Sequence, residues 1–155
     1  MTTKLETSIE INAPVFKVRN FILNYSNHCN WNPFFVSFEK LTNKNRKELA
    51  IGDQLKIEVV YHGTSKVMTI YPTVIVNNFE QLKWKGILGF EWLFYGVHTL
   101  KYESLEHGTR TRLIHTEEFG GCLATLFTWL GITEKTELSF NDMNEALKDE
   151  IESLE

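Results

Sequence analysis

Cysteine, proline and long apolar runs are all scarce in this chain, and each scarcity removes a class of protein. The 155 residues contain two cysteines, three prolines and nine glycines. Cys29 and Cys122 are too few for a disulfide framework and belong to no CxxC pair, so neither a stapled secreted scaffold nor a structural zinc site is expected. No apolar run approaches the ~20 residues that span a bilayer, and Met1 to Asn12 has no apolar core of signal-peptide length. A reduced, cytoplasmic protein without stable membrane insertion follows as an expectation. Excess cationic charge is missing too. The net charge is −4, which argues against nucleic acid as the main partner. Acidic residues gather at the C-terminal end, eight against two lysines from Thr133 onward, the pattern of a solvated helix face. There is no GxSxG, no Walker-type glycine loop and no dinucleotide fingerprint, so no cofactor is expected. Gly86-Ile87-Leu88-Gly89 lacks the helix that would have to follow such a loop.

What the chain has in plenty is aromatic surface: four Trp, five Tyr and eleven Phe. So many large rings in one domain-sized chain require a bulky interior or an aromatic-lined pocket. The length suits a single domain, 1–155. Lys4 to Asn12 alternates, with Leu5, Thr7, Ile9 and Ile11 on one face, as a half-buried strand does. Pro14 then opens a helix whose Val15, Val18, Phe21, Ile22 and Tyr25 share one side. Ser26 to Pro33 reads as a loop or broken short helix.

Strand-like segments follow at short intervals. They are Phe34 to Leu41, Gln54 to Tyr61, Ser65 to Val76 with Pro72 as an edge or bulge, Phe79 to Gly86, Phe90 to Leu105 and Thr109 to Phe119. After Gly120-Gly121 comes a short apolar segment, Cys122 to Leu130. A helical period then runs to the end through Phe140, Met143, Leu147, Ile151 and Leu154, with Thr133 or Thr136 as its cap. The expected class is α+β, a helix-grip fold in which a curved antiparallel β-sheet wraps around a long C-terminal α-helix. A sheet curved around a helix cannot touch it everywhere, so a cavity lined by alternate strand residues is expected between them.

The order of elements resembles the START-like or Bet v 1-like superfamily (SRPBCC), and within it the polyketide cyclase/dehydrase and lipid-transport group. Trp31-Asn32-Pro33-Phe34 resembles that group's W-N-P-F signature, Trp84-Lys85-Gly86 its W-x-G strand, and Gly108-Thr109-Arg110 its G-T-R hairpin. Glu118-Phe119-Gly120-Gly121 and the helix Phe140-Asn141-Asp142-Met143-Asn144 with Ala146-Leu147 are similar to its last strand and terminal helix. The resemblance implies an apolar cavity; it does not imply one chemistry.

Strand alternation indicates the lining. With Lys101 and Glu103 in water, His98, Leu100 and Tyr102 turn inward. With Arg110, Arg112 and Glu118 outside, Thr111, Leu113, His115, Glu117 and Phe119 do the same. Counting back from the Gly108 turn makes His98 and His115 near neighbours. His98, His115 and Glu117 form the one constellation suited to acid–base work, because a histidine beside a carboxylate moves protons near neutral pH. The same three also serve as hydrogen-bonded groups that orient a ligand or an internal water. No recognised metal-ligand spacing joins them.

Trp84, Trp92, Phe94, Phe119, Phe127 and Trp129 make a ligand cage or an ordinary core. Trp31 and Phe34 close over a cavity mouth or staple the turn at Pro33. Tyr61 completes the expected lining, and Met143 and Leu147 face the cavity floor. The leading expectation is a monomer or weak homodimer that binds a small or medium hydrophobic molecule: a lipid, a polyketide or an aromatic metabolite. The alternatives are a cyclase or dehydratase using the same polar residues, and a protein-interaction module of the same fold. Phe34-Phe35-Val36 and Ile87 to Phe94 are unusually rich in large side chains, and both are expected to narrow the cavity.

Overall fold

Alternation at the N-terminus gives strand β1, Thr3–Ile11, with Leu5, Thr7 and Ile11 buried. These elements come from a computed structural model that describes residues 2–154; Met1 and Glu155, the two ends of the expected domain, lie outside it. Pro14 sits at the N-terminal boundary of helix α1, Val15–Leu23, where its missing N–H leaves no intrahelical bond unmade. A single 3₁₀ turn at Tyr25–Asn27 and the short helix α2, His28–Trp31, carry the chain to β2, Phe35–Lys40. Then come β3 Leu55–Val60, β4 Val67–Ile70, β5 Thr73–Asn77, β6 Gln81–Ile87, β7 Tyr95–Leu105 and β8 Arg110–Gly120. Helices α3, Ala124–Trp129, and α4, Ile132–Glu152, complete the chain.

All strand pairs are antiparallel. Five strands run in the order β1-β8-β7-β6-β5 and three in the order β2-β3-β4. The expected Ser65–Val76 run is two strands, and Pro72 is where the chain leaves one sheet for the other. Proline supplies no ladder donor, but its carbonyl accepts from Leu55 N–H (2.9 Å), and the Gln54–Thr73 bridge completes the seam. The eight strands therefore form one bent surface around α4.

Two further expectations needed correcting. The segment Phe90–Phe94 is not strand: Gly89 is left-handed (φ 72°), and the Phe94 N–H bonds back to the Phe90 carbonyl (3.2 Å) to close a turn. Neither Thr133 nor Thr136 caps α4. The helix starts directly after left-handed Gly131 (φ 81°), and the Thr136 hydroxyl donates to the Ile132 carbonyl (2.7 Å) inside the first turns.

Phe140, Met143, Leu147 and Ile151 form the buried stripe of α4, each worth about 1.5–3 kcal/mol when removed from water. Leu154, expected on the same stripe, lies beyond the helix end and is 72% exposed. At the opposite end of the three-stranded sheet, a buried Lys40–Asp53 pair (3.3 Å) organises the long 41–53 connection. Lys40 Nζ also donates to the carbonyls of Arg46 and Glu48. No helix among the described residues is long and apolar enough to cross a membrane. In urea denaturation, Leu147→Ala should lower stability by about 2–5 kcal/mol through the cavity it leaves. Leu154→Ala should stay within about 0.5 kcal/mol.

Candidate functional site

Strands β7 and β8 pair along their whole length, placing His98 opposite Glu117 and Leu100 opposite His115. His98 and His115 are thus diagonal neighbours on one face. Their Nε2 atoms lie 2.6 Å apart, a direct hydrogen bond between two buried imidazoles. Aromatic rings enclose the pair. Trp84 stacks on His98 (4.3 Å, 14°) and Phe140 on His115 (3.7 Å, 7°).

The surrounding network sets where the protons are. Thr7 Oγ1 donates to the His115 carbonyl (3.3 Å) and accepts from Asn144 Nδ2 (2.9 Å). Asn144 Oδ1 therefore faces His115 Nδ1 (2.9 Å) as an acceptor, so that nitrogen carries hydrogen. His115 Nε2 is then a bare acceptor, and His98 Nε2 must donate to it. His98 Nδ1 remains a lone pair, buried and without a partner. Burial pushes the His115 pKa down to about 3, against the opposing hydrogen bond that it donates to Asn144. Burial, and then the neighbouring His115, hold His98 well below the usual histidine range. Both rings are neutral at neutral pH.

Beside this pair lies open space. A cavity of about 270 Å³ lies against the β4–β5 corner, β6 and the turn before β7, with Tyr61, Ile70, Trp84, Phe94, Glu117 and Phe119 among its walls. A second chamber of about 50 Å³ shares five of those walls and reaches Phe34, His98, Thr136 and Phe140. Glu117 is the carboxylate in both. Protein encloses it while its side chain still borders the cavity, and burial pushes its pKa up to about 8. Gly96 makes room for it, since a Cβ there would lie 2.5 Å from Glu117 Oε1. Burial, followed by the Glu117 charge, raises the Tyr61 phenol to about 12.

Of the residues expected to line the cavity, Phe34, Tyr61, Trp84, His98, Glu117 and Phe119 do so. Trp31, Leu100, Tyr102, Leu113, His115, Met143 and Leu147 are buried but are not among the walls of either chamber. Met143 and Leu147 pack as core rather than as a cavity floor. Phe127 is only partly buried, edge-on to Phe94 (4.3 Å, 86°).

Trp92 and Trp129 are corrections: they are 68% and 83% exposed. Trp92 stacks on Phe90 (5.8 Å) in the turn before β7, and Ile87 and Leu88 beside it border the outer cavity and are themselves exposed. Sequence reasoning missed Gly96, Asn144 and Thr136. A glycine at an inward strand position marks a close approach, and that signal was present at Gly96. Among the described residues, no group of three or more His, Cys, Asp or Glu side chains converges to hold a metal ion.

No family model and no curated protein matches the sequence. Solved structures do. The Zhui aromatase/cyclase of a Streptomyces species superposes with a TM-score of 0.76 at 14% identity, covering 98% of this chain and 94% of that one. A START superfamily protein from Mycobacterium smegmatis gives 0.75 at 14% identity, covering 98% and 99%. The fold is the START-like, Bet v 1-like helix grip. A third neighbour is norcoclaurine synthase from Thalictrum flavum, solved with dopamine and hydroxybenzaldehyde. It gives 0.71 at 13% identity, covering 100% of this chain and 89% of that one. At such identities the likeness is one of fold.

This helix grip should have a pH optimum of stability. His28, held down to about 4 by burial, together with His98 and His115, binds protons more weakly folded than unfolded. Stability therefore falls as pH drops below about 6.5. Glu117 binds its proton more tightly folded than unfolded. Its contribution is complete below about pH 4.5 and is lost as pH rises through about 8. Three histidines outweigh one carboxyl on the acid side, so the thermal midpoint should peak near pH 6.5. Glu117→Gln should flatten the decline above that peak and steepen the rise between about pH 4.5 and 6.5, where the histidines then act unopposed.

Proposed function

We propose that the protein binds a compact hydrophobic molecule, aromatic or polyketide-like, in the cavity at the β4–β5 corner, which the sheet walls and the C-terminal helix does not reach. The observation that carries this reading is the cavity itself. Its walls are mostly aromatic and aliphatic, with the hydroxyls of Thr69, Tyr61 and Tyr71 and a single carboxyl, Glu117, whose pKa burial raises to about 8. Apolar walls supply affinity, and a neutral carboxyl supplies one directional contact without attracting a cation. A volume of about 270 Å³ falls near the lower end of the roughly 300–1,000 Å³ typical of small-molecule sites. That size favours a one- or two-ring compound or a short chain over a multi-chain lipid.

A second reading has one specific observation in its favour. A carboxyl that ionises near pH 8 is a proton donor at neutral pH, and carbonyl cyclisation or dehydration needs such a donor at the substrate oxygen. Glu117, rather than either histidine, is the candidate acid. His115 has both nitrogens engaged, and both imidazoles are too weakly basic to take up a second proton at neutral pH. Turnover of this kind would vanish in Glu117→Gln and fall above about pH 8, while apolar binding survived.

Native mass spectrometry of the purified protein, with extraction of bound small molecules, tests the binding reading directly. So does calorimetric titration with 2-naphthol, a two-ring aromatic. Ile70→Trp, which puts an indole into a wall that both chambers share, is expected to weaken binding of 2-naphthol at least about tenfold. Unchanged affinity in Ile70→Trp would move the binding site elsewhere and end the proposal.

A further inference from the structure

Two polar residues share the walls of the inner chamber. His98 and Glu117 are cross-strand partners on the same face of the β7–β8 ladder, an arrangement that brings Cβ atoms within about 4.5–5.5 Å. Both border the inner chamber of about 50 Å³. That space admits a hydroxyl group or a water and excludes an aromatic ring. Of the two imidazoles, His115 is fully engaged, with Nε2 on His98 and Nδ1 on Asn144. His98 is 3% exposed, and its Nδ1 has no partner. Buried polar atoms in native proteins are almost always paired, so an exception at a cavity wall marks the place of a missing partner.

The polarity of that atom is set from a distance. Asn144 on α4 is held by Thr7 on β1, which leaves its carbonyl oxygen to accept from His115 Nδ1–H. His115 Nε2 then accepts from His98 Nε2–H, and His98 Nδ1 is left as an acceptor only. Across from it, the Glu117 carboxyl is a donor while protonated. An acceptor and a donor on the walls of one small chamber match a group that both gives and takes a hydrogen bond.

We propose that the inner chamber is a hydroxyl-recognition site. His98 Nδ1 accepts a hydrogen bond from a phenolic or enolic hydroxyl of the bound molecule, the Glu117 carboxyl donates one to the same oxygen, and Asn144 is the positioning residue that keeps His98 Nδ1 free of hydrogen. The inference rests on the binding reading above and narrows its ligand to hydroxylated aromatics or enolised polyketide-like compounds, ring outward and hydroxyl inward. A methyl ether retains the ring and the acceptor oxygen but has no hydrogen to give His98, so the site discriminates against it.

The test is a pair of probes, 2-naphthol and 2-methoxynaphthalene, titrated by calorimetry at pH 7. The expected result is tighter binding of 2-naphthol by about tenfold or more. The preference, read as the ratio of the two affinities within the variant, should disappear in His98→Phe. Nitrogen-15 NMR of the wild-type imidazoles should show His98 protonated at Nε2 and bare at Nδ1, with a mixture of both tautomers in Asn144→Leu. The spectrum also stands alone if His98→Phe fails to fold. Equal binding of the two probes overturns the hydroxyl site and leaves the binding reading intact. A preference that survives in His98→Phe, or a hydrogen on His98 Nδ1 in the wild type, also overturns it. Binding of neither probe overturns both.

Discussion

A hydrogen bond between two neutral imidazoles in a dry interior is the constraint on which the rest of this molecule depends. The bond between His98 and His115 joins adjacent strands in the middle of the five-stranded sheet. Through Asn144 it reaches the terminal helix, and through Thr7 the first strand. A buried polar network of this sort permits one arrangement, because sliding any member strands a donor or acceptor away from water. The greasy stripe of α4 would tolerate a small rotation against the sheet; Asn144 does not. Stacking of Phe140 on His115 fixes the same helix a second time, one turn away. The inner chamber keeps its shape because the helix that supplies Thr136 and Phe140 to its walls is fixed at both points.

Desolvation acts on the histidines and on Glu117 in opposite directions and gives one outcome. It lowers the basicity of the imidazoles and raises the pKa of the carboxyl, so each group is uncharged at neutral pH. The inner chamber is therefore polar without being charged. An ion entering it would find no counter-ion, and a plain hydrocarbon would leave a donor and an acceptor unpaired. An uncharged molecule with one polar corner satisfies both conditions.

Much of this was legible in the sequence, and the parts that were not share a cause. Alternation sorted inward from outward residues along β7 and β8 correctly, because one face is buried and the period of two admits no slippage. Counting from the hairpin turn brought His98 near His115, although the pairing that matters is diagonal rather than opposite. Trp92 misled because the apolar run Phe90–Phe94 has the composition of a strand, while left-handed Gly89 curls it into a turn. Trp129 misled for a related reason: its short helix presents the ring to solvent. Asn144 was quoted only as part of a helical motif. Its role depends on a partner 137 residues away, and no local pattern carries that information.

The large side chains that promised to close the cavity divide it instead. Phe34, Phe35 and Phe140 border the inner chamber, and with His98 and Thr136 they leave only about 50 Å³. The outer space stays open because Gly86 and Gly96 contribute no side chains to its walls. Adding a Cβ at Gly96 would displace the Glu117 carboxyl, so one absent methyl group keeps the polar end and the apolar end in contact. The open space thus has two parts, an outer chamber of about 270 Å³ and an inner constriction of about 50 Å³. Specificity in such a site comes from the constriction, because apolar walls discriminate weakly between compounds of similar size whereas an unpaired buried donor or acceptor discriminates strongly.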